Sequence, residues 1–225
     1  MATRRIRNCP ATAGFTLVEM LTVIAIIGIL ATLLLSVLAT AKKKGRIAVC
    51  SSNLRQSLMA YEMYRQDFPR RPNDLGDLVK SRHLGDAQVL LCPEDRTRNW
   101  GQLVRPFGVE GLETLPYSYL HPMPWSDRDW GLLEREGGSA GLLVCQLHGV
   151  RRQRSSRPTM EDYEGLLLRG QVDGAVVKRQ MYWEDPTGFG RESMGAQFAA
   201  ARMGGGRLPW RFFVDLPPGQ NRPEE

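Results

Sequence analysis

The sequence predicts an α+β chain: one long N-terminal helix, transmembrane and then amphipathic, packed on a small antiparallel β-sheet body with long loops. Three observations carry this reading. From Met20 to Ala41 there is no charged residue, a run long enough to cross a bilayer as a helix. Beyond Lys42, Lys43 and Lys44 the apolar residues continue at spacings of three and four, the period of one helix face. After Pro69 and Pro72 the pattern changes to short apolar runs between turn residues, which is how strands read.

The chain opens with Arg4, Arg5 and Arg7 and no acid. A secretory signal has an apolar stretch of roughly 7–15 residues and then a small-residue cleavage site. Here the apolar run extends from Phe15 to Ala41, and Ala39-Thr40-Ala41 leads straight into lysines. A buried core helix is disfavoured because the run is apolar all round. Basic residues flank the span on both sides, so charge counting does not settle its orientation. One carboxylate, Glu19, stands at the start of the run; an ionisable group there is costly and is a functional hypothesis by default.

Past the lysines, Ile47, Cys50, Leu54, Leu58 and Tyr61 mark one face, with Arg46, Asn53, Arg55, Gln56, Glu62 and Arg65 on the others. Pro69 and Pro72 end the pattern. One helix is therefore expected from about residue 15 to 66, roughly 75–80 Å long. In the body, 68–75 reads as a turn and 74–84 as a short helix with Leu75, Leu78 and Val79 inward. Strands are expected at 88–92, 115–120, 142–147, 166–172 and 175–182, with Asp173-Gly174 as a type I′ hairpin signal. A flexible link at Gly204 to Gly206 would lead to a last strand at 211–214. The expected division is a leader at 1–14, a membrane half-helix at 15–41, an amphipathic half at 42–67, a globular body at 68–216 and a polar tail at 217–225.

Gly14-Phe15-Thr16-Leu17-Val18-Glu19 resembles the processing site of type IV prepilins and type II secretion pseudopilins, and Thr22 to Leu30 is also typical of them. The resemblance implies a pilin-like fold, cleavage between Gly14 and Phe15 by a prepilin peptidase, and N-methylation of Phe15. It implies a leader in the cytoplasm, a single pass through the inner membrane and a periplasmic body. Other pilin or pseudopilin subunits and an inner-membrane assembly platform are the implied partners. Cleavage creates a cationic amine one helical turn from Glu19. In a low dielectric each charge is relieved by pairing. In the family the pairing is between subunits and sets filament register; a pair within one chain and a protonated Glu19 are the alternatives. The implied function is that of a pseudopilin or minor pilin-like structural subunit. The competing reading keeps the anchor and makes the body a periplasmic binding or adhesion domain.

A looser resemblance, to a bacterial subgroup of prepilin-type proteins, rests on residues Cys50 to Gln56, Leu91-Cys92-Pro93, Tyr117-Ser118-Tyr119, His148-Gly149 and Asp173-Gly174. The interval from His148 to Asp173 is longer than in that pattern.

The net charge of +6 is partly a leader effect: without Arg4, Arg5 and Arg7 the excess of bases over acids halves. Arg151-Arg152-Gln153-Arg154 has no interleaved aromatics and reads as a solvated loop, so no nucleic-acid partner is expected. Cys9 falls in the leader. Of the other three cysteines, Cys92 and Cys145 end apolar runs and form the candidate disulfide, permitted outside the inner membrane. Cys50 is expected as a buried thiol. No CxxC occurs, so no metal site is expected. His83, His121 and His148 read as structural or surface residues, and Asp173 as turn chemistry. The major pseudopilins, which the N-terminus resembles, hold calcium in a C-terminal loop; the oxygen-ligand spacing for such a site is not visible around Glu94-Asp95 or Glu184-Asp185, so no cofactor is expected, with calcium as the alternative. No P-loop, GxSxG, HExxH or GxGxxG occurs, which leaves an enzyme reading without support. The loop His121-Pro122-Met123-Pro124-Trp125, with Trp130, reads as half-buried loop packing, with a contact surface as the alternative.

Overall fold

A computed structural model describes residues 15–98, 115–122, 127–151, 163–181 and 210–215. The chain divides into two compact units, Met1–Gly45 and Arg46–Glu225. The leader, the glycines at 204–206 and the tail from 217 lie outside the described residues.

Helix α1 spans Leu17–Asp67. In the first unit its apolar side chains, from Leu17 through Leu38, are exposed on every face. Mean hydropathy reaches 2.8 over its most apolar 18 residues, and among the described residues this is the one helix long and apolar enough to cross a membrane. In the second unit α1 becomes one-sided. Cys50, Leu54, Ser57, Leu58, Tyr61 and Tyr64 are buried, at the predicted spacing, while Arg55, Gln56 and Glu62 stay exposed. The Phe68 N–H makes a last helical bond to Tyr64 (2.9 Å), and Pro69 follows.

Helix α2 covers only Gly76–Lys80, shorter than the expected 74–84. It stops because Arg82 takes φ = 63° and the Leu84 N–H bonds back to the Leu78 carbonyl (2.9 Å). Leu75 and Leu78 point inward as expected. The expected strand at 88–92 is instead a 3₁₀ turn, Ala87–Leu90. Asp86 decides this locally: its carboxylate accepts the Gln88 N–H (2.8 Å) and caps the turn. Helix α3, Asp127–Arg135, was not anticipated; it buries Trp130, Leu132 and Leu133 on one face.

The sheet is built around β3, Tyr163–Gln171. Along one edge β1 (Gly141–Cys145) and β2 (Val150–Arg151) lie end to end, both antiparallel to β3. Along the other runs β4, Val176–Met181, in register from Gly170↔Val176 to Gly165↔Met181. The β3–β4 hairpin falls where Asp173-Gly174 predicts, but its turn is not type I′. Only Gly174 has positive φ (82°), and the Gly174 N–H bonds to Gln171 O at 3.0 Å. This is a type I turn closed by a left-handed glycine, the three-residue hairpin solution. Residues 115–120 add only a single bridge to the sheet, Leu120↔Val144, rather than a full strand. The expected strand at 211–214 is a 3₁₀ turn, Trp210–Phe212, whose Phe212, Phe213 and Val214 enter the core.

The core of the second unit joins the buried face of α1 to β1, β3 and the 210–214 segment. The approach is tight: a Cβ on Gly170 would stand 2.9 Å from Leu58 Cδ1. The result is a long N-terminal helix packed on a small antiparallel sheet, the α+β arrangement predicted.

Candidate functional site

Two constellations carry chemistry. The first is the start of α1. Gly14 lies outside the described residues; Phe15 is exposed, and Glu19 sits in the first helical turn. Thr16 and Glu19 bond reciprocally. The Thr16 N–H and hydroxyl donate to Glu19 Oε2 at 2.8 and 2.7 Å, and the Glu19 N–H donates to Thr16 Oγ1 at 3.3 Å. This capping box satisfies donors that a helix start would otherwise leave bare. Both side-chain contacts go to Oε2; Oε1 accepts no hydrogen bond among the described residues. The Thr-x-x-Glu spacing was legible in the sequence, but Glu19 was read there only as a partner for the Phe15 amine.

The second constellation corrects the expectation about cysteines. Cys50, Cys92 and Cys145 are all free thiols and all buried; Cys92 and Cys145 are not joined to each other. With His148 they converge: one donor atom from each of the four lies within 4.8 Å of the others. Four elements deliver them: the buried face of α1 (Cys50), the loop after the 3₁₀ turn (Cys92), the end of β1 (Cys145) and the turn behind it (His148). His148 Nε2 stands 3.4 Å from Cys92 Sγ. Its Nδ1 is buried and finds no partner among the described residues. His148 is thus buried beside cysteine, the structural and not the surface alternative of the sequence reading. Cys145 and His148 form a Cys-x-x-His step, which a search for CxxC passes over.

Local bonds fix each donor. The Cys92 N–H bonds to Ser118 Oγ (3.0 Å), and Ser118 donates to Asp95 (2.7 Å), which also caps the Thr97 and Arg98 N–H groups. The Glu94 N–H points at Cys92 Sγ (3.4 Å). Glu94 itself pairs with Arg46 at 3.0 Å through both carboxylate oxygens, so the acidic pair Glu94-Asp95 is committed to structure. The turn carrying His148 is closed by Gly149 N–H to Gln146 O (3.0 Å). At Gly149 a Cβ would lie 2.3 Å from the Glu164 carbonyl oxygen, so only glycine fits against β3. Burial pushes the Cys145 thiol up. Cys50 is also raised: contact with Cys145 lowers it, but Cys92 and burial outweigh that. Hydrogen bonds from Cys145 and Cys50, with the nearby His148, hold Cys92 low. The site therefore favours negative charge on the Cys92 sulfur.

The remaining histidines are structural. His83 bonds to Ser81 Oγ (2.7 Å) and Asp67 Oδ2 (2.9 Å), and buried His121 packs on Tyr117. Trp130 is buried with the Arg71 guanidinium 4.8 Å over its ring, so it does not present a contact surface; Met123, Pro124 and Trp125 lie outside the described residues. Asp173 accepts the Ala175 N–H (2.9 Å), turn chemistry as read.

Comparison with known proteins places these features. The prokaryotic N-terminal methylation motif matches residues 10–35. Type II secretion system core protein G of Pseudomonas aeruginosa is 30% identical over 135 residues, 56% of this chain and 88% of that protein. No solved structure matches. With the motif at its head, the long α1 and a match across nearly the whole of that relative, the chain belongs to the type IV prepilin and type II secretion pseudopilin family.

Proposed function

We propose that this pseudopilin-like subunit is made as a precursor and cut between Gly14 and Phe15 by a prepilin peptidase, which N-methylates Phe15. The leader stays in the cytoplasm, residues 15–41 cross the inner membrane, and the body from 68 to 216 stands in the periplasm on the amphipathic half at 42–67. Subunits then assemble through α1 into a pseudopilus or a pilus-like filament, with the Glu19 carboxylate of one subunit meeting the Phe15 amine of another. The role is structural rather than enzymatic.

The observation that carries this reading is Glu19 at the first turn of an apolar helix, inside the matched motif. Its Oε2 is committed to Thr16, and its Oε1 stays open to an incoming donor. The carboxylate can serve both at once without unwinding the first turn. Mass analysis of the membrane-extracted N-terminus tests the cut: a start at methyl-Phe15 supports it, and a start at Met1 or Ala2 rejects it. Glu19→Val tests the pairing. The variant is expected to insert in the membrane but lose filament assembly; normal assembly would sink the pairing mechanism.

A further inference from the structure

We propose that Cys50, Cys92, Cys145 and His148 form a closed structural centre for one tetrahedral zinc-class ion. Around Zn²⁺, with bonds of about 2.3 Å to sulfur and 2.0–2.1 Å to nitrogen, donor atoms stand roughly 3.5–3.8 Å apart. Here all four donors fall within 4.8 Å, and Cys92 and His148 are already at 3.4 Å. Closing the shell takes shifts of under about 1 Å in side chains, not a change of backbone. Four protein ligands leave no open position, which marks a structural rather than a catalytic centre.

A disulfide is the competing fate, and the arrangement argues against it. A disulfide uses two of three sulfurs and strands the third beside His148; an ion uses all four groups. Neutral thiols are cheap to bury, but an imidazole among them is costly unless its nitrogens are bonded. The Glu94 N–H aimed at Cys92 Sγ is the kind of outer contact that supports a bound thiolate. The buried Tyr119 phenol lies near the three sulfurs. Soft sulfur donors with one imidazole suit zinc over calcium or magnesium, which take oxygen. Cys92 also lines a cleft of about 460 Å³ with Asn53, Leu91 and Pro93.

Binding is balanced by protons: each thiol that enters the shell as thiolate releases one, while His148 binds through a neutral nitrogen. The centre would join α1 to β1 and the Cys92 loop, stapling chain segments 42 and 53 residues apart in sequence. It does not rest on the processing reading, since a chain starting at Met1 would hold the ion equally.

The test uses the full chain, purified in detergent through a histidine-free tag. Metal is counted by elemental analysis, and free thiols are counted by alkylation and mass spectrometry in denaturant. The expected result is about one zinc per chain with no disulfide among the three cysteines. Cys50→Ser and His148→Ala should each lose most of the metal, while Cys9→Ser should keep it. Should those variants fail to fold, Co²⁺ exchanged into the unaltered chain gives an independent readout: the intense visible bands of tetrahedral cobalt-thiolate. A disulfide without metal, three free thiols without metal, iron in place of zinc, or metal retained when all three body cysteines are replaced would each overturn the proposal.

Discussion

Helix α1 holds two helices' worth of physics under one hydrogen-bond ladder. Before Gly45 its apolar side chains are exposed all round, and none is buried by the protein. After Arg46 the same helix hides one stripe, from Cys50 to Tyr64, against a sheet. In the first half, burial must come from outside the chain; in the second, the chain supplies it. The burial that the chain supplies is thereby confined to one half of the element, and substitutions can address the two halves one at a time.

The largest contrast should come from matched truncations in the two halves. Leu54→Ala removes a fully buried side chain and is expected to destabilise the body by about 2–5 kcal/mol. Leu30→Ala, on the exposed half, should leave body unfolding unchanged within about 0.5 kcal/mol. Chemical denaturation of the detergent-solubilised chain, followed by tryptophan fluorescence, reads both; equal effects would erase the distinction between the halves.

A middle-sized effect should come from the far side of the core. Arg169 is buried on β3, donating to Phe212 O (2.9 Å) and Asp215 Oδ1 (2.8 Å), while Arg179 on β4 donates to both oxygens of Asp215. Burial pushes the Asp215 carboxyl up, but the bonds from Arg179 and Arg169 outweigh it and hold it below the usual range. Asp215→Asn should cost about 1–2 kcal/mol, less than a fully buried pair, because Asp215 keeps much of its side chain in water. A lowered native value means the ion pair contributes above the ordinary carboxylate pKa of about 3.9 and is lost as pH falls through the native value. Wild type and Asp215→Asn should therefore stay apart at pH 7, begin to approach below about pH 4 and converge only below the lowered native value.

The smallest effect belongs to the helix start. Thr16→Ala removes the cap that meets Glu19 and is expected to cost the first turn about 1 kcal/mol. Amide exchange should quicken at residues 16–19, with the body unaffected. Protection lost in the body as well would mean that the two halves are coupled.

What was legible in the sequence follows the range of the interactions. The helix, its buried stripe and the β3–β4 hairpin rest on local periodicity and turn residues, and each was found where expected. Residues 88–92 were misjudged because a four-residue apolar run does not distinguish strand from 3₁₀ turn, and Asp86 decided it. The hairpin turn was mistyped because Asp-Gly also suits a type I turn with a left-handed glycine. The cysteine cluster could not be assembled by spacing, since its members lie 42 and 53 residues apart and only the fold brings them together. Two signals were nonetheless in plain sight: Thr-x-x-Glu at the helix start and Cys-x-x-His after β1.

The squeeze at Gly149 reaches further than the turn it closes. No side chain fits beneath the Glu164 carbonyl, and the residue just before it delivers the imidazole to the three sulfurs. Position 149 is therefore hostage to position 148. A side chain at 149 would press on the β3 backbone and shift the turn, carrying the imidazole away from the sulfurs with no change at His148 itself. Gly149 thus belongs to the four-donor cluster without contributing a donor to it.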